Sequence, residues 1–461
     1  ADRILAEIGI EFRDDPETVE LFRKAGGVVT DHGENRWRIR FEPGLIRALL
    51  KTAPARFTQH ARNPARNVEI GGDAVVFAPS YGSPFVMDLD RGRRYGTLED
   101  FQNLIKLGQS SPWLHHSGGT ICEPTDVAVN KRHLDMVYSH IRYSDRPFLG
   151  SITAPERAAD SIEMCRLLFG ADFVDRHCVI IGNFNTTSPL VLDGVTTRGI
   201  REYAGAGQGS IILPFLLGGA VAPLTMAGAV AQSLAESMVG CALTQLVRPG
   251  APAIFGTWPF GLDLRSGAMT GGSGEQALLS AGCAQMHKFY GLPGGAVGGI
   301  TDAKLPDMQA GWESMCSNVM AGLSGLNMVY EAAGMHASLL GFCHESLILG
   351  DDLIGHALRC VRGIEVDDET LAVEQIREVC LQGPGHYLGM GQTLARMQRD
   401  YVYPSTGERM SPKEWVEKDK PDLNQSAIRR KEAILSEPSL ARFDPLTDRA
   451  IRDRFKIHLA G

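Results

Sequence analysis

The sequence lacks a basic excess. Its formal net charge is −8, from 46 Lys and Arg against 54 Asp and Glu, and a nucleic-acid partner needs a positive face to replace phosphate counterions. Nucleic-acid binding is therefore set aside as the main role. The paired cysteines of a disulfide framework or zinc ribbon are missing as well. The nine Cys are odd in number, scattered, and mostly set in apolar runs such as the one around Cys241. Reduced thiols in a cytoplasmic protein are the expectation. There is no internal repeat at a solenoid period, no low-complexity tract and no signal-peptide pattern. The chain opens without Met inside an amphipathic stretch (Ile4, Leu5, Ile8), so natural residues before Ala1 are expected.

Charge is absent from residues 203–235, a run long enough to suggest a membrane span. Pro214, Pro223 and several Gly interrupt it, and it divides into a strand-like piece at 210–213, a turn, and a helix-like piece at 224–234. Barrel interior is the better reading, and no membrane is expected.

What the chain has in quantity is short apolar bursts. They fall at 115–119, 147–151, 178–182, 210–213, 251–256, 294–299, 326–330 and 338–342, each followed by a polar or Gly-containing loop. Apolar runs of four to six residues with helical patterns between them are typical of parallel strands buried on both faces. The fold class expected is α/β, a (β/α)8 barrel over 111–365. An N-terminal helical and β segment (1–110) and a C-terminal helical extension (366–461) are added to it. In the first segment, 68–77 reads as a β-hairpin turning at Gly71 and Gly72, and Thr97 with Asp100 reads as a capping box. Pro155 opens a helix with Ile162, Cys165 and Leu168 on its inner stripe. After 365 the chain turns charged, with helix expected over 371–379 and a polar helical tail over 413–448.

Two tempting motifs fail on context. Gly205, Gly207 and Gly209 resemble a phosphate loop, but they precede a strand, whereas phosphate loops follow one and open a helix. Cys283 and His287, and Cys343 beside His344, suggest zinc, but no second pair completes the three or four ligands required. No metal is expected.

In a barrel, side chains at the ends of strands build the active face. Trp258 and Phe260 follow the burst at 251–256, and Tyr81 and Phe85 lie in the N-terminal segment. All four are candidates for an aromatic box or for packing. Asn185 follows a strand and either supports its loop or orients a ligand. His344 and Glu345 follow 338–342 and point into the mouth on this count, the alternative being a helix N-terminus. Asp302, Asp307, Gln309 and Glu331 are expected to shape a polar rim, and Asp302 and Lys304 either contact a ligand or form an ion pair across the loop.

Several stretches carry a resemblance. The polar run Gly299-Ile-Thr-Asp302-Ala-Lys304-Leu-Pro306-Asp307-Met-Gln309-Ala-Gly311 resembles a signature of the trimethylamine methyltransferase family, which is corrinoid-dependent. In order along the chain, 82–88 with Arg93, Arg94 and Thr97, then 250–256, then 363–371, also resemble that family. The resemblance implies a barrel that moves a methyl group from an amine nitrogen to the cobalt of a separate corrinoid protein. On this reading no cofactor is bound to the chain itself, and cob(I)alamin or methylcobalamin resides on the partner. The family's trimethylamine enzymes carry pyrrolysine in the barrel mouth, and only ordinary residues occupy that region here. The chain is thus similar to the pyrrolysine-free branch, which uses quaternary amines such as glycine betaine. The expected partners are a corrinoid protein, a small quaternary amine and further copies of the chain in a homo-oligomer. The site residues implied are Tyr81, Phe85, Asn185, Trp258, Phe260, Asp302, Lys304, Gln309, Glu331, His344 and Glu345. A barrel that binds a quaternary amine without methyl transfer, or a metal-assisted hydrolase, are the alternatives.

Overall fold

A seven-stranded parallel sheet forms the centre of the computed structural model, which describes residues 1–458 except 90, 384, 440 and 442. In chain order its strands are β1 (Val76–Phe77), β2 (Phe148–Leu149), β3 (Ile180–Asn185), β4 (Gly209–Leu213), β5 (Ala253–Gly256), β6 (Gly294–Val297) and β7 (Met328–Tyr330). Neighbours follow chain order from β2 to β7, and β7 then pairs with β1. A first strand beside the last is the sign of a ring. The remaining gap, between β1 and β2, is filled by the extended segment 115–118. His115 N–H donates to the Phe77 carbonyl at 3.0 Å, Ser117 N–H to Pro147 at 2.8 Å, and Leu149 N–H to Gly118 at 2.8 Å. Eight extended segments therefore close a (β/α)8 barrel, each followed by a helix. These are α1 (Leu98–Ser110), α2 (Arg132–Tyr143), α3 (Pro155–Phe169), α4 (Gly194–Gly205), α5 (Met226–Val247), α6 (Gly274–Tyr290), α7 (Met308–Ser324) and α8 (His344–Arg362).

Membership of the ring differs from the sequence expectation in one place. Segment 338–342 is not a barrel strand. Ala337, Ser338 and Leu339 all take left-handed backbone conformations, which turn the chain back so that Gly341–Phe342 pairs antiparallel with Met335–His336 and parallel with Phe85–Val86. The missing place is taken by Val76–Phe77. The hairpin expected over 68–77 does not form either: Val68–Gly71 pairs with Arg56–Gln59, and the chain then crosses to β7. Val76 and Phe77 are both buried, and a two-sided burial suits a parallel ring strand better than a hairpin edge.

Local signals otherwise act as expected. Thr97 and Asp100 cap α1 reciprocally, and Pro155 stands at the first turn of α3. The charge-free stretch supplies β4 and the start of α5. That helix is long and apolar enough to cross a membrane, but 72% of its most apolar window is buried inside the protein. The N-terminal residues form a small sheet joined to the barrel by Ile10–Arg13 against Val191–Leu192. In the C-terminal part, short helices Asp368–Leu371 and Val373–Arg377 are followed by Pro412–Glu417, Leu423–Ser436 and Pro445–Arg454; residues 440 and 442 of the expected tail lie outside the described residues. Leu423–Ser436 packs on α8 and α1.

Candidate active site

The C-terminal ends of the barrel strands converge on a group of aromatic side chains. Tyr330 ends β7, Trp258 and Phe260 follow β5, Phe215 follows β4, and Tyr81 follows β1. Trp258 lies 5.5 Å from Tyr330 and 6.1 Å from Phe260, ring centre to ring centre, and Phe215 lies 5.1 Å from Phe260. Ile300 and Met335 pack with them in one apolar cluster that Tyr81 borders. The group is dry: Trp258 is 4% exposed and Tyr330 1%. Its polar atoms are incompletely used, since neither Trp258 Nε1 nor the Tyr330 hydroxyl has a hydrogen-bond partner among the described residues. Buried donors are normally paired, so two orphans at the end of a barrel mark a place with unspent binding capacity.

Tyr81 is positioned by the strand ends on either side. Its backbone N–H donates to both carboxyl oxygens of Glu331, at 3.0 and 2.9 Å, and the neighbouring Ser80 hydroxyl donates to the Ala333 carbonyl at 2.8 Å. Its ring crosses Gly119 so closely that a Cβ there would lie 2.9 Å from the ring. Burial pushes the Tyr81 hydroxyl up to about 12, partly opposed by the neighbouring Thr120 side chain. Burial likewise holds the Glu331 carboxyl well above the usual range, against the Tyr81 N–H and Ser80. Glu331 is a non-glycine residue with φ of 61°, a conformation that persists only where surroundings enforce it.

A cleft of about 330 Å³ opens beside this group. Tyr81, Thr120, Glu123, Ser151, Arg157 and Asn185 are among its walls. A larger cavity of about 970 Å³ lies between α7, α8 and residues 404–428; Trp312 lines it, but none of the clustered aromatic residues does. The smaller cleft is the better candidate because it alone touches Tyr81.

The expected site residues therefore separate. Tyr81, Asn185, Trp258, Phe260 and Glu331 gather at the strand ends. Phe85 does not join them: the Arg93 guanidinium sits 4.1 Å over its ring and Tyr95 packs at 5.0 Å. His344 does not face the aromatic group either. Its ring nitrogens lie 3.9 Å from Asp88 and 3.8 Å from Asp100, in an ionic cluster that Arg94 crosslinks. Burial pushes the His344 imidazole down, and Asp100, Glu345 and Asp88 pull it back. Although burial alone would raise it, Arg94 and Thr97 hold Asp100 down at about 2. Glu345 is paired with Lys431 of the C-terminal helix, which outweighs burial and lowers its carboxyl.

Asp302, Lys304 and Gln309 form a third group that locks loops together. Asp302 accepts from the Gly271 N–H at 2.7 Å, the Gly272 N–H at 3.2 Å and the Ser338 hydroxyl. Lys304 donates to the Asp302 carbonyl at 2.6 Å, so the expected side-chain ion pair is absent. Gln309 donates to Glu313, whose other oxygen accepts from Thr301 and the Asp302 N–H. Sequence reasoning missed Glu313, Tyr330, Glu123 and Arg157. Tyr330 had one signal, its place at the end of an apolar burst. Among the described residues no group of three or more His, Cys, Asp or Glu is arranged to hold a metal ion.

Comparison with known proteins resolves the family. Residues 1–457 match the family model described as trimethylamine methyltransferase (MTTB). The chain belongs to the trimethylamine methyltransferase family. It is 38% identical over 448 residues to a glycine betaine methyltransferase of Desulfitobacterium hafniense (strain Y51), covering 97% of this chain and 91% of that one. It is 27% identical over 459 residues to the trimethylamine methyltransferase MttB2 of Methanosarcina mazei, covering 94% and 87%. In three dimensions it is similar to the monomethylamine methyltransferase MtmB of Methanosarcina barkeri, with a TM-score of 0.52 at 11% identity over 94% of this chain and 96% of that one. At that identity the likeness speaks for the barrel fold alone. The chain is a methyltransferase built on a (β/α)8 barrel.

Proposed function

We propose that this methyltransferase takes a methyl group from a quaternary amine of the glycine betaine type and delivers it to the cobalt of a corrinoid carried by a separate protein. The observation that carries the reading is the group of aromatic side chains at the strand ends, Tyr81 in the wall of the cleft and the buried Trp258, Phe260 and Tyr330. A quaternary ammonium has no N–H to donate, so aromatic faces are its natural partners, each contributing roughly 0.5–2 kcal/mol. The 38% identity to a glycine betaine methyltransferase supports the same class of donor.

The charge balance of the reaction fits such a site. The N–CH₃ bond breaks and both its electrons go to nitrogen, which already bears positive charge and leaves as a neutral tertiary amine. The acceptor, a substrate rather than a resident group, supplies the pair for the new bond to carbon. Charge is consumed as the reactants meet, so removing water from them lowers the barrier. The protein's tasks are to exclude water, hold the ammonium and keep the three reacting atoms in line. Tyr81 is suited to this as a neutral ring, because burial keeps its phenol protonated far above neutral pH. Glu331 fixes where that ring begins. A tertiary amine such as trimethylamine would leave as an amide anion unless its nitrogen first gains positive charge, so it needs a proton or another activating group that a quaternary ammonium does not.

The test is product analysis. Purified protein with reduced cobalamin and glycine betaine carrying carbon-13 in its methyl groups is followed by NMR. Formation of labelled dimethylglycine supports the proposal; betaine that stays intact with active acceptor present refutes it.

A further inference from the structure

The cleft beside Tyr81 is charged unevenly, and the imbalance points to the part of the substrate remote from the methyl group. Of the charged side chains in its wall, Arg132 is neutralised by Glu123 at 2.8 Å and also holds the Val127 carbonyl. His133 is tied to Asp160 at 2.9 Å, and burial pushes its imidazole down. His140 is spent on the Ser117 hydroxyl and the Gly119 carbonyl. Arg157 is different. Its one side-chain hydrogen bond goes to the neutral Thr153 hydroxyl at 2.7 Å, and among the described residues no carboxylate lies within ion-pair distance of it. It stands in the first turn of α3, half-buried, and lines the cleft together with Thr153. The wall thus carries a surplus positive charge on a planar group with several free donors.

We propose that Arg157 binds the carboxylate of the substrate and so makes the site selective for betaines over quaternary amines without an acid. The inference rests on the function proposed above and adds the chemical class of donor. A zwitterion placed with its ammonium against the Tyr81 ring and its carboxylate toward Arg157 meets an aromatic face at one end and an unpaired positive charge at the other. The guanidinium fork matches a carboxylate in two-point geometry, which fixes the molecule's direction as well as its position. A cleft of about 330 Å³ sits at the small end of ligand sites, in keeping with a donor of this size.

The experiment is calorimetric titration of glycine betaine and of choline, which has no carboxylate, into the full chain and into Arg157→Met and Arg157→Lys. Loss of one charged hydrogen-bonding partner should weaken betaine by about ten- to one-hundred-fold in Arg157→Met, with choline changed by no more than about two-fold. Arg157→Lys should keep only part of the betaine preference, since it retains the charge but loses the two-point fork. Unchanged betaine affinity in Arg157→Met, or equal losses for both ligands, overturns the assignment while leaving the proposed function standing. Wild-type protein that binds neither ligand removes that function and this inference together.

Discussion

Tyr81 and Glu331 are joined across the seam of the barrel: the backbone N–H of Tyr81, just past β1, donates to both carboxyl oxygens of Glu331, just past β7, at 3.0 and 2.9 Å. The strand that closes the ring and the aromatic residue that borders the cleft are thereby placed by one buried carboxyl. Its folded pKa is raised by burial, so its contribution to stability is full below the unfolded carboxyl pKa and is lost as pH rises through the folded value. Glu331→Gln, uncharged at any pH, is expected to match wild type in thermal melts where the carboxyl is protonated in the folded state and to equal or exceed it at higher pH, where wild type must ionise a buried group. A variant that melts well below wild type at pH 8 would show that the ionised carboxylate is the stabilising form.

Gly119 makes room for the Tyr81 ring. A methyl group there would lie 2.9 Å from the ring and 2.9 Å from Leu149 Cβ, closer than real contacts allow, so the contact between Tyr81, Gly119 and Leu149 must open. Gly119→Ala is expected to weaken quaternary-amine binding by about ten-fold, the worth of one aromatic contact, measured by calorimetry. Undiminished affinity would mean that the Tyr81 ring takes no part in binding.

Trp258 offers a milder probe. Trp258→Ala would open a large cavity and cost roughly 3–5 kcal/mol of stability, obscuring any effect on binding. Trp258→Phe keeps an aromatic face while removing the orphaned Nε1 donor. Its expected effect is a loss of roughly 1 kcal/mol in amine affinity, about five-fold, with a melting temperature close to wild type.

Asp351 gives a prediction independent of the site. It is buried beside Asp352 and accepts from the Ser111 hydroxyl. Burial pushes its carboxyl up to about 6 from 3.8, Ser111 opposing and Asp352 adding. The group therefore favours the folded state fully below about pH 4, and that contribution is gone once pH passes about 6. Asp351→Asn removes the cost of ionising it, so the variant should gain stability relative to wild type by roughly 1–3 kcal/mol at pH 8 and by less at pH 5. Paired melts at the two pH values check the sign; a larger gain at pH 5 contradicts it.

Much of the barrel was legible because its signals are local. The apolar bursts around Ile181, Ile211 and Ile254 each become a buried strand, and the Thr97 cap needs only four residues. The closing strand was not legible. Val76–Phe77 is two residues long and its partner, Met328–Val329, lies some 250 positions away in sequence, a distance that no local pattern spans. Segment 338–342 looked like a strand because its composition is apolar; the left-handed turn at Ala337, Ser338 and Leu339 is made without glycine and left no mark. That miscount carried His344 with it, since a residue thought to follow the last strand instead opens α8 beside Asp88 and Asp100. Trp258 stood out in the sequence because it directly follows an apolar burst, whereas Tyr81, in the N-terminal segment, comes to the strand ends only because Val76–Phe77 joins the ring. Asp302 could be read from sequence as a rim residue or as a loop brace, since a carboxylate accepting three loop donors looks the same in sequence as one that contacts a ligand.

The most direct test is a competition between donors. Protein and cob(I)alamin are supplied with glycine betaine and trimethylamine at equal concentration, and both demethylated amines are quantified against methylated cobalamin. The account predicts dimethylglycine in one-to-one amount with methylated cobalamin and trimethylamine left intact. Dimethylamine as the main product, with betaine untouched, would contradict it.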